Sequence, residues 1–203
     1  MEMKKILCIL FLLCTGIFVC ACSQPQVEPN NDPAQQSVNE PEKDSQVLVV
    51  YFSATGTTKG VAEKIAQGLN AVLFEIVPEQ PYTDEDLDYG NDESRTTIEM
   101  NDDSARPAIA DPIENMDQYD TIYLGYPIWW GQAPKIMDTF VESYDLNGKT
   151  IIPFCTSGSS GIGSSATDLE NLSNGALWKE GKRFSGNEPQ EEIMEWVGTI
   201  SLQ

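Results

Sequence analysis

Val47-Leu48-Val49-Val50-Tyr51-Phe52 runs directly into Ser53-Ala54-Thr55-Gly56-Thr57-Thr58, and the reading of this stretch decides the fold. The first six residues are apolar without a break and rich in β-branched and aromatic side chains. Such a run suits a strand buried on both faces, as in a parallel sheet. The next six are small and mostly hydroxyl-bearing. Val61, Ile65 and Leu69 then recur four apart, with Ala62 and Ala66 beside them, which predicts a helix with one apolar face. A helix that starts after such a loop offers free N–H groups and the positive end of its dipole, so it can hold an anion. The loop lacks the Gly-Lys-Ser/Thr ending of an ATP-binding loop and the three spaced glycines of a dinucleotide fingerprint.

Further along, the pattern of strand, small-residue loop and helix returns. Ala71–Val77 reads as a second strand. A long insert follows over Pro78–Gln118, with an acidic part from Thr83 to Met100 that reads as helical and is interrupted at Gly90-Asn91. It is longer than a connection requires, as segments that cover a site often are. Its Arg95 and Arg106 have local acids to pair with; contact with an anionic substrate is the alternative. Thr121–Tyr126 is a third strand. The loop Pro127-Ile128-Trp129-Trp130-Gly131-Gln132 follows it, and Pro134 is suited to the first turn of the next helix. Two adjacent tryptophans after a strand either seal the core or lie against a ligand. Lys149–Cys155 is a fourth strand, with Pro153 an objection to a central place. The loop Thr156–Gly163 carries Ser157, Gly158, Ser159 and Gly163, and its glycines permit close backbone approach to a flat ring. A helix follows over Ser164–Leu172. Trp178–Phe184 reads as a short fifth strand, and Glu188–Ile200 as a closing helix.

Alternating strands and helices predict an α/β fold: a doubly wound, five-stranded parallel sheet in the order 2-1-3-4-5. In that order the loops after strands one, three and four meet at one edge. These are the three unusual loops.

The N-terminal 45 residues are of another kind. Lys4 and Lys5 precede a sixteen-residue apolar run, Ile6–Ala21, which is short for a membrane span. Val19-Cys20-Ala21-Cys22 resembles the bacterial lipobox, which implies a signal peptide over 1–21, cleavage before Cys22 and lipid on that cysteine; an uncleaved anchor is the rival reading. Val19 makes Cys20 the poorer attachment site. Residues 22–45, poor in apolar side chains, read as a disordered tether, and 46–203 as the folded domain. Localisation in the bacterial cell envelope, outside the cytoplasm, follows. Only Cys155 would then remain as a free thiol, a small buried hydrophobe or, less simply, a redox group.

The chain carries 32 acidic against 12 basic residues, a net charge of −20. Such a field disfavours nucleic acid and favours a basic partner, or simply solubility. There is no histidine. A Ser-His-Asp or Cys-His mechanism is therefore excluded, no catalytic acid–base residue is identified, and the commonest neutral metal ligand is missing.

Ser53, Thr55, Gly56 and Thr58 match the Ser/Thr-x-Thr-Gly-x-Thr phosphate loop of flavodoxins, with Thr57 a further hydroxyl. With Gly125–Trp130 and the Thr156–Gly163 loop, the whole of 46–203 resembles a flavodoxin-like domain. The resemblance implies FMN as cofactor. Its phosphate would lie on residues 53–58, its ring between Pro127–Gly131 and Ser157–Gly163, and Trp129 or Trp130 would stack on it. It implies electron transfer, with the flavin doing the chemistry and the protein tuning it. An acidic surround disfavours a reduced, anionic ring and lowers its potential. Two alternatives stand: an NAD(P)H-dependent flavin reductase of quinones or nitro compounds, and a non-redox surface binding module.

Overall fold

A computed structural model describes residues 46–201; the signal segment, Cys22 and the tether lie outside the described residues. The elements run β1 (Gln46–Tyr51), α1 (Thr57–Leu69), β2 (Val72–Glu75), α2 (Arg95–Met100), a 3₁₀ turn (Met116–Gln118), β3 (Tyr119–Pro127), α3 (Lys135–Ser143), β4 (Thr150–Thr156), α4 (Ser165–Leu172), β5 (Leu177–Trp178), β6 (Lys182–Phe184) and α5 (Gln190–Thr199). No helix among the described residues is long and apolar enough to cross a membrane.

The sheet is parallel throughout, in the order β2-β1-β3-β4-β5, with β6 also paired to β4. Side chains alternate across it, so each central strand feeds two cores. Leu48, Val50 and Phe52 of the first strand region, Ile122, Leu124 and Tyr126 of β3, and Ile151 and Cys155 of β4 pack with Ile136 and Phe140 of α3 and Leu169 of α4. Val49, Tyr51, Tyr123, Ile152 and Phe154 pack on the other face with Val61 and Ile65 of α1 and Ile193 of α5. Cys155 is fully buried, and burial pushes its thiol up to about 12, so it behaves as an inert core residue.

Gly125 is needed in β3 because the Phe154 ring of β4 lies over it. A Cβ there would sit 2.2 Å from Phe154 Cζ. Gly125→Ala must displace a buried ring, so we expect a loss of about 1–3 kcal/mol. A urea melt with an unchanged midpoint would contradict this packing.

Strand five differs from expectation: Trp178–Phe184 is not one strand. Lys179 N–H donates to Ile151 O at 2.9 Å, so the odd residues of β4 turn their main-chain groups toward β5 and β6. Pro153 is one of these and has no N–H to continue the ladder. Between the Ile151–Trp178 and Phe154–Lys182 pairs, Ile152 and Pro153 face the three residues Lys179–Gly181, which forms a bulge. Pro153 therefore does occupy an inner strand, and strand five breaks where the donor is missing.

The insert also differs. Thr83 starts a single turn, in which its N–H donates to Asp86 Oδ2 at 2.9 Å and Asp86 N–H donates to Thr83 Oγ1 at 3.2 Å. Asp88 and Asn91 then accept from the N–H groups of Gly90 and Glu93, which turns the chain instead of extending a helix. The helix is confined to Arg95–Met100, with Ser94 as its cap. The neck of the insert is closed by Glu79 N–H to Ala108 O and Ala110 N–H to Val77 O, both 2.8 Å. Pro134 caps α3 from outside and is not in its first turn.

Candidate functional site

In a sheet of this order the crevice lies at the carboxyl ends of the strands, where the chain turns from one side of β1 to the other. There the structure brings the three loops together. Ser53, Ala54, Thr55, Thr57 and Thr58 after β1, Pro127, Ile128 and Trp129 after β3, and Thr156, Ser157 and Gly158 after β4 line a cleft of ≈ 350 Å³, with Tyr89 and Ser185. None of these side chains bears a formal charge.

The first loop closes through Gly56, which takes φ 85° as the cap of α1. The first bond of the helix is Gly60 N–H to Gly56 O at 3.1 Å. The N–H groups of residues 55–59 take no partner among the described residues, so they remain available to an anion. Thr55 and Thr57 are exposed, and Ser53 is half-buried. Thr58 is different. It is buried, and its Oγ1 lies 2.7 Å from Thr156 Oγ1. That hydroxyl pair ties the first loop to the end of β4.

The two tryptophans part company. Trp129 is 3% exposed, belongs to the core and also lines the cleft. Its ring meets Phe52, Tyr82 and Tyr89 edge-on, with centroids 5.6, 5.3 and 6.5 Å away. Trp130 is outside the lining and exposed. Trp129 and Gln132 exchange both N–H···O bonds at 2.9 Å, with Trp130 (φ 47°) and Gly131 (φ 83°) as the two turn residues between them. A tryptophan at positive φ costs about 1–2 kcal/mol. Its tilted ring contact with Tyr89, with centroids 4.9 Å apart and planes at 55°, returns a similar amount, about 0.5–1.5 kcal/mol. Trp130→Asn, which suits the backbone, is therefore expected to melt within a few degrees of the parent. A loss beyond about 2 kcal/mol would show that the indole is structural.

Gly56, Gly131, Ser159 and Gly163 also lie off the lining. Gly56 and Gly131 shape turns. Gly163, at φ 55°, brings loop three against loop two, since a Cβ there would lie 3.9 Å from Gly131 O. Ser159 is exposed.

Tyr89, Thr156 and Ser185 were not among the residues picked out by sequence. Thr156 begins a loop that was. Ser185 follows β6, and nothing in its local pattern distinguishes it. Its N–H, with that of Gly186, donates to the Glu188 carboxylate. Burial would raise that carboxyl, but these donors and the Ser185 hydroxyl outweigh it and lower it to about 2. Tyr89 comes from the insert, whose length was the only signal. Arg95 lies 4.2 Å over the Tyr82 ring and donates to Glu99 Oε1 at 2.7 Å, and Tyr82 donates to Glu99 Oε2 at 2.6 Å. Arg106 makes a two-pronged pair with Glu142 at 2.7 and 2.8 Å. Arg95 is thus paired within the insert and Arg106 with acids of α3, Glu142 and Asp138, and neither lines the cleft.

A doubly wound parallel sheet with three uncharged loops meeting at its switch point defines the class. The family model for flavodoxin matches residues 46–200, and the chain belongs to the flavodoxin family. Among solved structures it is similar to a candidate flavoprotein from Bacteroides eggerthii, at 46% identity over 79% of this chain and 100% of that one, with TM-score 0.74. It is also similar to one from Bacteroides uniformis, at 41% identity over 76% and 99%, with TM-score 0.73. A flavoprotein in complex with FMN from Lactobacillus acidophilus shares the fold, at 23% identity over 75% and 99%, with TM-score 0.56. No curated protein matches.

Proposed function

We propose that this protein binds FMN in the cleft and carries electrons at the outer side of a bacterial membrane, held there by lipid on Cys22. The observation that carries the reading is the meeting of three separate loops in one uncharged cleft. FMN, when bound, supplies the electron storage. The phosphate would be held by the free N–H groups of residues 55–59 with the hydroxyls of Ser53, Thr55 and Thr57. The small residues Ser157 and Gly158 leave room for a flat ring, and Trp129 and Tyr89 offer it aromatic edges or faces. Neutral donors suit a bound dianion in a protein this acidic, because they add no lysine that a neighbouring carboxylate would pair with.

The domain from residue 46 carries nine basic against twenty-six acidic residues. A redox partner with a basic surface fits that field. The absorbance spectrum of the purified protein with added FMN tests the cofactor: a shifted, bound flavin spectrum is expected, and a spectrum identical to free FMN contradicts it. Tyr89, which the insert supplies to the cleft wall, is the observation that favours the NAD(P)H-dependent reductase as a second reading. Rapid two-electron reduction by NADH or NADPH in stopped flow would favour that enzyme over the carrier.

A further inference from the structure

Arg183 stands on β6 opposite Cys155, directly behind the third loop. Its Nε donates to Ser157 Oγ at 3.2 Å and its Nη2 donates to Gly158 O at 2.8 Å and to Ser157 O. Ser157 is held further by its own N–H, which donates to Phe184 O at 3.2 Å, and by its hydroxyl on Ser160 O. The guanidinium therefore occupies the carbonyl oxygens of two cleft-lining residues. The N–H groups of Gly158 and Ser159 keep no partner among the described residues. Arg183, like Lys64, Lys149 and Lys182, makes no ion pair among the described residues, although its domain carries a net −17; Lys59, Arg95, Arg106 and Lys135 do.

An unpaired cation fixed behind an uncharged wall has two physical effects. It removes the negative ends of two carbonyl dipoles from competition with an electron-rich ligand edge, and it leaves donors for that edge. It also places positive potential where a ring that gains electrons gains negative charge. We propose that Arg183 is a positioning residue of the cleft: it orders loop three for the flavin and offsets, locally, the acidic field that opposes flavin reduction. This rests on the FMN reading above.

Two substitutions separate the effects. Arg183→Gln keeps N–H donors and removes the charge; Arg183→Lys keeps the charge and removes the planar fork. FMN affinity is read by fluorescence titration of the full chain, the potential of bound FMN by reductant titration, and folding by thermal melts. In Arg183→Gln the reduced flavin should bind roughly tenfold more weakly relative to the oxidised one, which appears as about 30 mV more negative for the two-electron couple. Arg183→Lys should keep the parent potential and lose FMN affinity roughly tenfold or more. A folded Arg183→Gln protein with the parent potential overturns the inference. If that variant does not fold, unchanged FMN affinity in Arg183→Lys overturns it. A parent protein that binds no FMN is a separate result and counts against the flavin reading itself.

Discussion

Thr55→Asp is expected to abolish FMN binding at micromolar concentration while leaving the fold intact. Thr55 is exposed at the crown of the first loop, next to N–H groups that have no other partner among the described residues. A carboxylate there meets the ligand phosphate at close range. Two unit charges about 4 Å apart repel by about 4 kcal/mol at the effective dielectric of a protein surface. Water at this open position reduces that somewhat, so the loss should be roughly a hundredfold to a thousandfold in affinity. Riboflavin has the same ring and no phosphate. Its affinity, measured in parallel, should not change. Equal losses for both ligands would place the ring, and not the phosphate, on this loop.

Trp129→Ala carries the second large effect, and this one is on stability. Trp129 is almost fully buried among Phe52, Tyr82 and Tyr89, and it is where the insert meets the sheet. Truncating a buried tryptophan costs about 3–5 kcal/mol, and the edge-on packing of its ring against these three neighbours is part of that sum. For a domain of this size the melting temperature should fall by roughly 6–20 °C. FMN binding should fall too, since the cleft loses a wall. Trp129→Phe should recover much of the stability. If Trp129→Ala and Trp130→Asn melted alike, the division of labour between the two indoles described above would be wrong.

The parts of this fold that could be read in advance are those where one local signal has one outcome. The apolar, β-branched run Val47–Phe52 suited a buried strand, and the loops after β1, β3 and β4 announced themselves by their small and aromatic residues. The strand order then placed them together. What was not legible depends on contacts between distant residues. The break in strand five arises because Pro153, on a neighbouring strand, lacks a donor, and no local feature of Lys179–Gly181 reports that. The insert was acidic enough to read as helix, but Asp88 and Asn91 gave its backbone competing partners. Thr58 matched the phosphate-loop pattern, yet its hydroxyl is taken by Thr156, which lies 98 residues away. Trp129 and Trp130 are neighbours in sequence and were inseparable until a positive-φ turn sent one inward and the other out. Tyr89 could not be assigned to the cleft because the path of the insert follows from packing, not from periodicity.

Amide NMR of the purified protein during an FMN titration tests the convergence of the three loops most directly. The account predicts that signals of residues 55–59, of Trp129 and of Gly158-Ser159 shift together, at one equivalent of FMN, while those of β2 stay put. Shifts confined to one of these loops, or none at saturating FMN, would contradict it.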